Sequence, residues 1–346
     1  MAGPIKVVHC GLGPIGRQIA RLVLDTPGLK PVGATDPAPH LADLDLGKVL
    51  ELDRRLRVRV EGDPLRFVKK ARADVAILCT GSSIKAVKGQ LADLVARRMH
   101  VITTCEELAY PSPANQSAFR QLDRLARRYK VSVLGTGVNP GYAMDSLAIA
   151  LTAPCASVER VSATRVVDAG TRRLPLQRKV GAGLNLSQFR RAVNDGSVRH
   201  HGLVESAHMI AAGLGWKLGR VEETIEPAIA PRDLETGHLR IPAGAAAGIK
   251  QAVRGYRGND LAVSLDLHMY VGAERPRDHV LIGGTPPVDM TIERGVAGDE
   301  ATAAMVVNSI PAVLGARVGV LTMLDLPLPR HLSAEALKRI PRRKPA

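Results

Sequence analysis

The first 135 residues alternate short runs of apolar, often β-branched residues with longer segments in which apolar positions recur at helical spacing. In one such segment Ile84, Val87, Leu91, Leu94 and Val95 fall three or four positions apart, which predicts an amphipathic helix. The short runs predict strands at 5–10, 30–35, 75–79, 101–103 and 131–134; the longer segments predict helices from 14, at 83–97 and at 113–129. Strands and helices that alternate across short loops predict a doubly wound parallel sheet with helices on both faces.

The pattern changes after about residue 155, where extended stretches dominate. Strands are predicted at 158–167, 261–271, 280–282 and 288–292, and helices at 186–195 and 203–213. These elements predict an α+β domain with a mixed, mostly antiparallel sheet. A last helix at 299–315 contains Pro311, which we expect to kink or end it.

A glycine-rich segment follows the first predicted strand. Gly11, Gly13 and Gly16 form a Gly-x-Gly-x-x-Gly pattern that opens a helix, and the pattern also includes Pro14 and Ile15. In that position the glycines permit a tight turn and close approach of a pyrophosphate, which the helix N-terminus attracts. Asp36 lies 20 residues beyond Gly16, where a carboxylate accepts the ribose hydroxyls of NAD and repels the 2′-phosphate of NADP.

This segment predicts a nicotinamide cofactor, NAD or NADP with NAD preferred, and an N-terminal Rossmann domain. We assign residues 1–145 to that domain, completed by the C-terminal helix at about 299–330. Residues 146–298 are assigned to a substrate-binding and oligomerisation domain, and residues 331–346 to a basic mobile tail.

The composition limits the other possibilities. The chain has 48 Lys and Arg against 33 Asp and Glu, a formal charge of +15, but only 3% aromatic residues. Basic charge favours nucleic acid, yet the charges are dispersed among acidic neighbours and base-stacking aromatics are scarce, so we expect no nucleic-acid partner. We see no membrane-length apolar run, no secretion signal and no paired cysteines, and we therefore expect a cytoplasmic, metal-free protein.

Further candidate residues follow the other predicted strands, because ligands of open α/β sheets bind beyond the carboxyl ends of the strands. Thr80, Gly81 and Ser82 follow the strand at 75–79; they either line the cofactor or, with Ser83, cap the next helix. Thr104 and Cys105 precede the acidic pair Glu106 and Glu107. One glutamate of this pair is expected to act as a general acid–base, and Cys105 is the alternative nucleophile.

The segment 134–145 contains three glycines and one proline directly after a strand. Its irregular backbone is typical of a ligand-contacting loop, and a simple hinge between domains remains the alternative. In the second domain Arg172, Arg173 and Arg178 either bind a substrate carboxylate or are solvated surface charge. His200-His201 are expected to be exposed loop residues.

Four segments carry a resemblance to a known family: 104–111, 135–145, 179–184 and 298–311. They resemble 2,4-diaminopentanoate dehydrogenase and the related native NAD(P)-dependent amine dehydrogenases, distant relatives of dihydrodipicolinate reductase. The resemblance implies reductive amination of a small ketone or aldehyde with ammonia, and oxidative deamination of a primary amine in reverse. It also implies a homodimer.

The resemblance also assigns residues. It places the catalytic glutamate at Glu107 or Glu106, with a slight preference for Glu107, as the proton shuttle during hydride transfer to an imine. It extends the cofactor set of Gly11, Gly13, Pro14, Ile15, Gly16, Asp36, Thr80, Gly81, Ser82, Thr104 and Cys105 to Asn308. The implied substrate-binding residues are Asn139, Pro140, Tyr142, Arg165, Asp168, Lys179, Gly181 and Thr302.

Three functional hypotheses remain open. The first is an amine dehydrogenase, including 2,4-diaminopentanoate dehydrogenase proper. The second is a Rossmann oxidoreductase of the semialdehyde or homoserine type that does not use ammonia. The third is a non-catalytic NAD-binding regulator.

Overall fold

The computed structural model describes residues 3–333 and residue 335, and the chain divides into two compact units. Unit 1 combines the residues up to Tyr142 with those from Ala297 onwards, and unit 2 runs from Ala143 to Val296. Most of the tail that we predict to be mobile lies outside the described residues.

Unit 1 begins with alternating strands and helices, as the apolar pattern predicts. They are β1 (Ile5–Cys10), α1 (Pro14–Asp25), β2 (Leu29–Thr35), α2 (Leu46–Val49), β3 (Val60–Glu61), α3 (Pro64–Lys70), β4 (Val75–Leu78), α4 (Ile84–Ala96), β5 (His100–Thr103), α5 (Gln116–Tyr129) and β6 (Ser132–Gly135). A short 3-10 turn, Glu106–Leu108, follows β5.

Unit 2 contains four helices and eight strands. They are α6 (Ser146–Ala150), β7 (Ser157–Asp168), α7 (Leu174–Lys179), α8 (Leu186–Asn194), α9 (Leu203–Gly213), β8 (Arg220–Ile229), β9 (Leu234–Glu235), β10 (Arg240–Ile241), β11 (Ala246–Arg257), β12 (Asp260–Tyr270), β13 (Arg277–Thr285) and β14 (Val288–Glu293). The chain then returns to unit 1 with α10 (Gly298–Gly315) and β15 (Gly319–Leu321).

The sheet of unit 1 has seven strands in the order β15-β6-β5-β4-β1-β2-β3, and its strand pairs are parallel. Every residue of β4 and β6 is buried, because helices cover both faces of such a sheet. The predicted Rossmann-type sheet is confirmed. The two outer strands β3 and β15 were not predicted, since two or three residues are too short to leave a periodic signal.

The main sheet of unit 2 has six strands in the order β14-β13-β7-β12-β11-β8. Only β7 and β12 pair in parallel, so the sheet is mixed and mostly antiparallel, as predicted. Sequence analysis missed β8 and β11. β8 carries three glutamates, and the first residues of β11 are Ala-Ala-Gly, so neither shows the branched apolar run that predicts a strand.

Helix α10 does not end at Pro311, contrary to one of the two outcomes expected. It continues to Gly315, and Pro311 lies buried within it. The proline removes one backbone hydrogen bond, but burial of Val306, Ile310 and Val313 on the same helix supports the turns on either side.

Candidate active site

The glycine-rich loop joins β1 to α1 and is shaped by close backbone contacts. Gly11 has φ +93°, and a Cβ there would lie 2.7 Å from the carbonyl oxygen of Cys79. A Cβ on Gly16 would lie 2.0 Å from the carbonyl oxygen of Gly11. Gly13 differs, because nothing lies within 4 Å of its Cβ position. Gly11 and Gly16 therefore serve the fold, while Gly13 keeps the approach to the helix open.

Helix α1 presents its N-terminus at this loop. Gly13 is the N-cap residue, Pro14 is the first helical residue and both are exposed, with Ile15 half-buried behind them. Proline suits this position because its missing N–H would have no helical partner there. The remaining amide donors and the helix dipole make the end of α1 a suitable site for a phosphate.

Asp36 follows β2 and is largely buried, with both carboxylate oxygens accepting backbone hydrogen bonds. Leu12 N donates to Oδ2 at 2.6 Å, and Ala38 N donates to Oδ1 at 2.9 Å. The carboxylate thus ties the glycine-rich loop to the end of β2. Each oxygen retains a second lone pair that can accept a hydroxyl donor.

A cavity of about 150 Å³ opens beside this aspartate. Its walls include Gly11, Thr35, Pro37, Thr80 and Gln90. Thr80 is fixed there by a 2.6 Å hydrogen bond from its hydroxyl to Gln90 Oε1. The cavity therefore joins the ends of β1, β2 and β4, and its size suits a flat ring rather than a large ligand.

The loop after β4 has two functions in the structure. Ser83 caps α4 by accepting a hydrogen bond from Ala86 N, which confirms the capping interpretation for this residue. Ser82 accepts two hydrogen bonds at its carbonyl oxygen, from Glu107 N and from the Cys105 thiol. Gly81 lies between these residues with a Cβ position 3.2 Å from Val87.

The two glutamates after β5 are held differently. Glu107 Oε2 accepts a 2.9 Å hydrogen bond from Ile84 N, the first residue of α4, and Asn115 Nδ2 donates to the Glu107 carbonyl oxygen at 2.8 Å. Glu107 is thereby anchored at the N-terminus of α4. Asn115 was not identified from sequence, where it shows only as a polar residue before a helix. Glu106 precedes this anchor on the same 3-10 turn and is half-buried.

The turn that carries the glutamates rests on the end of β6. A Cβ on Gly135 would lie 2.6 Å from the backbone carbon of Leu108 and 2.9 Å from Ala109 N. Any larger residue at 135 would displace the turn, so this glycine sets the position of Glu106 relative to the next loop.

Thr104 and Cys105 precede the glutamates. Thr104 N extends the strand pairing by donating to Leu78 O. Cys105 is fully buried, and burial together with Glu106 and Glu107 raises the pKa of its thiol to about 12. A thiol with such a pKa stays protonated, which argues against the alternative of a nucleophilic cysteine.

The loop after β6 contains a buried amide. Asn139 is 9% exposed, and within the described residues neither its Oδ1 nor its Nδ2 has a hydrogen-bond partner. Pro140 follows it, and Gly141 adopts φ +125°. Thr302 of α10 supports the loop, because its hydroxyl oxygen accepts a 3.2 Å hydrogen bond from Val138 N. Buried polar groups are nearly always paired, so Asn139 is a strong candidate for contact with a ligand.

Tyr142 and Asn308 lie on a second, larger cavity of about 800 Å³ within unit 1. Its walls come from α10 and from the segment 323–332. Asn308 Oδ1 accepts a 2.9 Å hydrogen bond from Leu332 N. Asn308 thus holds the C-terminal segment and does not line the cavity beside Asp36.

The candidate residues on β7 in unit 2 belong to internal networks. Arg165 is 3% exposed and makes a two-pronged ion pair with Asp278 at 2.6 and 2.7 Å, and it donates to Val296 O. Asp168 Oδ1 accepts hydrogen bonds from Gly170 N and Gly272 N. Both side chains hold loops to the sheet of unit 2.

Two histidines have buried ring nitrogens that sequence analysis did not anticipate. His9 on β1 has no hydrogen-bond partner for either nitrogen among the described residues, and burial lowers its pKa to about 4. The expectation that His200 is exposed is wrong, because its Nδ1 is buried. Burial, Lys179, Arg165 and His201, in that order, lower the pKa of His200 to about 3.

Two further searches of residues 3–333 and 335 gave negative results. No group of three or more His, Cys, Asp or Glu side chains is arranged to hold a metal ion. No helix in the same part of the chain is both long and apolar enough to cross a membrane.

The chain is similar to proteins that act on amines. Residues 142–342 match the model of the 2,4-diaminopentanoate dehydrogenase C-terminal domain. The chain is 31% identical over 337 residues to 2,4-diaminopentanoate dehydrogenase from Acetoanaerobium sticklandii, with 96% of each chain covered. It is 23% identical to an amine dehydrogenase from Streptomyces virginiae, covering 94% of this chain and 96% of that one.

Among solved structures, amine dehydrogenase from Mycobacterium smegmatis superposes with a TM-score of 0.87 at 21% identity, covering 95% of this chain and 97% of the other. That agreement establishes the fold. The family model and the relative from Acetoanaerobium together establish more: this chain is an oxidoreductase that belongs to the 2,4-diaminopentanoate dehydrogenase family.

Proposed function

We propose that this protein catalyses the NAD-dependent oxidative deamination of a small primary amine and, in reverse, the reductive amination of a small ketone or aldehyde with ammonia. The proposal is supported by its family and by the loops that follow β1, β4, β5 and β6. The single observation that carries it is the packing of the glutamate turn on Gly135, beside the loop that holds the unpartnered amide of Asn139.

The cofactor proposal depends on the loop between β1 and α1. The amides at the start of α1 bind the pyrophosphate, Asp36 accepts the ribose hydroxyls, and the cavity lined by Gly11 and Pro37 takes the adenine ring. The cofactor supplies a hydride acceptor or donor at its nicotinamide ring. Because Asp36 would repel a 2′-phosphate, we expect NAD to be preferred over NADP.

Glu106 is the better candidate for the proton shuttle, which reverses the slight preference for Glu107 from sequence. The carboxylate of Glu107 accepts the N-terminal amide of α4, so its negative charge is already used to cap that helix. Glu106 deprotonates ammonium, then moves protons to and from the hydroxyl and nitrogen of the carbinolamine, and its charge favours the iminium that receives the hydride.

Asn139 complements this chemistry. Its amide carries one acceptor and two donor hydrogens, and we propose that they orient the substrate nitrogen or oxygen. Water exclusion around this amide also protects an imine from hydrolysis. The homodimer remains an expectation that rests on the resemblance.

The test follows NADH consumption with short ketones, short aldehydes and 4-oxopentanoate, with and without ammonium. We expect turnover to require ammonium and NADH to exceed NADPH in kcat/KM. Glu106→Gln should lower kcat at least about 1000-fold, as removal of a general acid–base does, and leave NADH affinity unchanged. Glu107→Gln is the matched variant and should mainly lower Tm.

Carbonyl reduction without ammonium would overturn the proposal in favour of a semialdehyde or homoserine type of dehydrogenase. Loss of less than about tenfold in kcat for Glu106→Gln would show that Glu106 is not the proton shuttle. A second candidate, 2,4-diaminopentanoate dehydrogenase proper, is favoured by the 31% identical relative. Oxidation of 2,4-diaminopentanoate in preference to simple amines would identify it.

A further inference from the structure

The loop at residues 195–202 in unit 2 is held firmly by the sheet beneath it. The fully buried Gln251 on β11 accepts a 2.9 Å hydrogen bond from His200 N and donates a 2.8 Å bond to His200 O. Gln251 also donates to Glu223 on β8, and Glu223 forms an ion pair with Arg199. The backbone around His200 is therefore fixed from both sides by one amide.

Despite this anchoring, the loop buries two polar atoms that have no partner. They are His200 Nδ1 and Arg199 Nε. Leaving a buried polar group unpaired costs about 1–3 kcal/mol, and each such group in a native protein needs an explanation. A ligand that accepts hydrogen bonds would satisfy His200.

The turn after α7 brings a cation to the same place. Gly181 adopts φ +74°, and a Cβ there would lie 2.9 Å from Phe189 and 3.1 Å from Val198 Cγ2. This glycine allows the end of α7, with Lys179, to pack directly against the loop that carries His200. Lys179 is close enough to lower the pKa of His200, which independently places its charge beside the imidazole.

The other charged neighbour is already neutralised. Arg165 also lies near His200, but its guanidinium pairs with Asp278 through both carboxylate oxygens. The carboxylate of Glu223 is likewise taken up by Arg199 and Gln251. This leaves Lys179 and His200 as the pair whose chemistry fits an anion.

We propose that Lys179 and His200 bind the carboxylate of the substrate and thereby select short oxo acids and their amino-acid products over simple ketones. The proposal deepens the proposed function and rests on it for the reaction. Lys179 supplies the charge, and the neutral imidazole donates a hydrogen bond from Nδ1 to a carboxylate oxygen. Arg165, which sequence analysis assigned to the substrate, has a structural role in this arrangement.

The test compares 4-oxopentanoate with pentan-2-one, which has the same carbon chain but no carboxylate. With ammonium and NADH, Lys179→Met and His200→Leu should each lower kcat/KM for 4-oxopentanoate about 10- to 100-fold, the effect of one charge-assisted hydrogen bond. Values for pentan-2-one should change less than twofold. The control Lys217→Met removes an exposed lysine of the same unit and should behave as wild type.

His200→Asn provides the test of geometry, because an asparagine amide can replace the donor near Nδ1. This variant should recover at least half of the lost selectivity, whereas a merely structural role for His200 would lower both substrates equally. Equal losses for the two carbonyls in Lys179→Met, or no preference of the wild type for 4-oxopentanoate, would overturn the proposal.

A calorimetric titration of the full chain with 4-oxopentanoate separates this proposal from the proposed function. Binding that weakens in Lys179→Met but not in Lys217→Met supports the carboxylate site even if neither carbonyl is aminated. Ammonium-dependent turnover combined with binding that Lys179→Met does not change would retain the function and reject the site.

Discussion

The two units use conserved-looking polar and glycine residues in opposite ways. In unit 1 the candidate site is built mainly from backbone, with Gly11 and Gly135 allowing chain segments to touch and Asn139 left without a partner. In unit 2 the most conspicuous charged candidate, Arg165, is consumed by a buried ion pair with Asp278. A charged residue in a sequence therefore says less about ligand binding than a glycine whose spacing imposes a backbone shape.

The same contrast divides the glycine-rich loop itself. Gly16→Ala places a methyl group 2.0 Å from a backbone oxygen, and we expect a loss of more than about 4 kcal/mol in unfolding free energy or no folded protein. Gly13→Ala meets nothing within 4 Å and should keep the wild-type Tm. Its NADH affinity should fall about tenfold or more, because the pyrophosphate approaches the backbone there.

Urea unfolding and NADH titration of both variants check this expectation. A Gly16→Ala protein as stable as wild type would show that the loop can relax, and the proposed division between structural and binding glycines would then be wrong. Unchanged NADH affinity in Gly13→Ala would move the cofactor away from the start of α1.

The Arg165–Asp278 pair tests the comparison from the side of unit 2. Removing one partner of a buried ion pair leaves an uncompensated charge, so Arg165→Met should cost about 3–5 kcal/mol in unfolding free energy. The double variant Arg165→Met/Asp278→Leu should recover much of that loss, since no charge stays buried alone. Chemical denaturation of the three proteins provides the measurement.

Arg254→Met is a suitable control, because Arg254 also pairs with an aspartate, Asp266, on the same sheet but is about one-third exposed. That variant should lose less than about 1 kcal/mol. If Arg165→Met kept its stability and lost only substrate affinity, Arg165 would be a ligand-binding residue after all.

The smallest expected effect concerns acid stability and the buried His9. Its folded-state pKa of about 4 lies below the model value of 6.5, so the unfolded chain binds a proton that the folded chain refuses. Above pH 6.5 the histidine adds no pH dependence. Between pH 6.5 and 4 the unfolding free energy should fall by about 1.4 kcal/mol per pH unit, or about 3 kcal/mol in all.

His9→Leu removes this contribution, so its stability should fall less steeply than that of wild type as the pH drops from 7 to 4.5. His200, with a pKa of about 3, acts in the same direction in both proteins and cancels in the comparison. His40→Asn changes an exposed histidine and should follow the wild-type curve. Parallel curves for wild type and His9→Leu would contradict the assignment of a neutral buried His9.

Sequence alone determined the architecture of unit 1 and the position of its cofactor loop. Apolar runs separated by helical periods report local structure, and Gly11, Gly16 and Asp36 stand at a spacing that one strand, one turn and one helix dictate. The glutamate pair was also found, since a polar turn after a buried strand is a local feature. The weaker strands β8 and β11 were missed because their apolar pattern is incomplete without the neighbours that cover them.

Tertiary structure decided which of these polar residues are structural. Glu107 differs from Glu106 only through Ile84, 23 positions earlier, and Arg165 meets Asp278 across 113 positions. The burial of His200 depends on its loop lying against the sheet, where Gln251 holds its backbone 51 positions away. Such pairings form when distant segments pack together, and a one-dimensional pattern of residues carries no record of them.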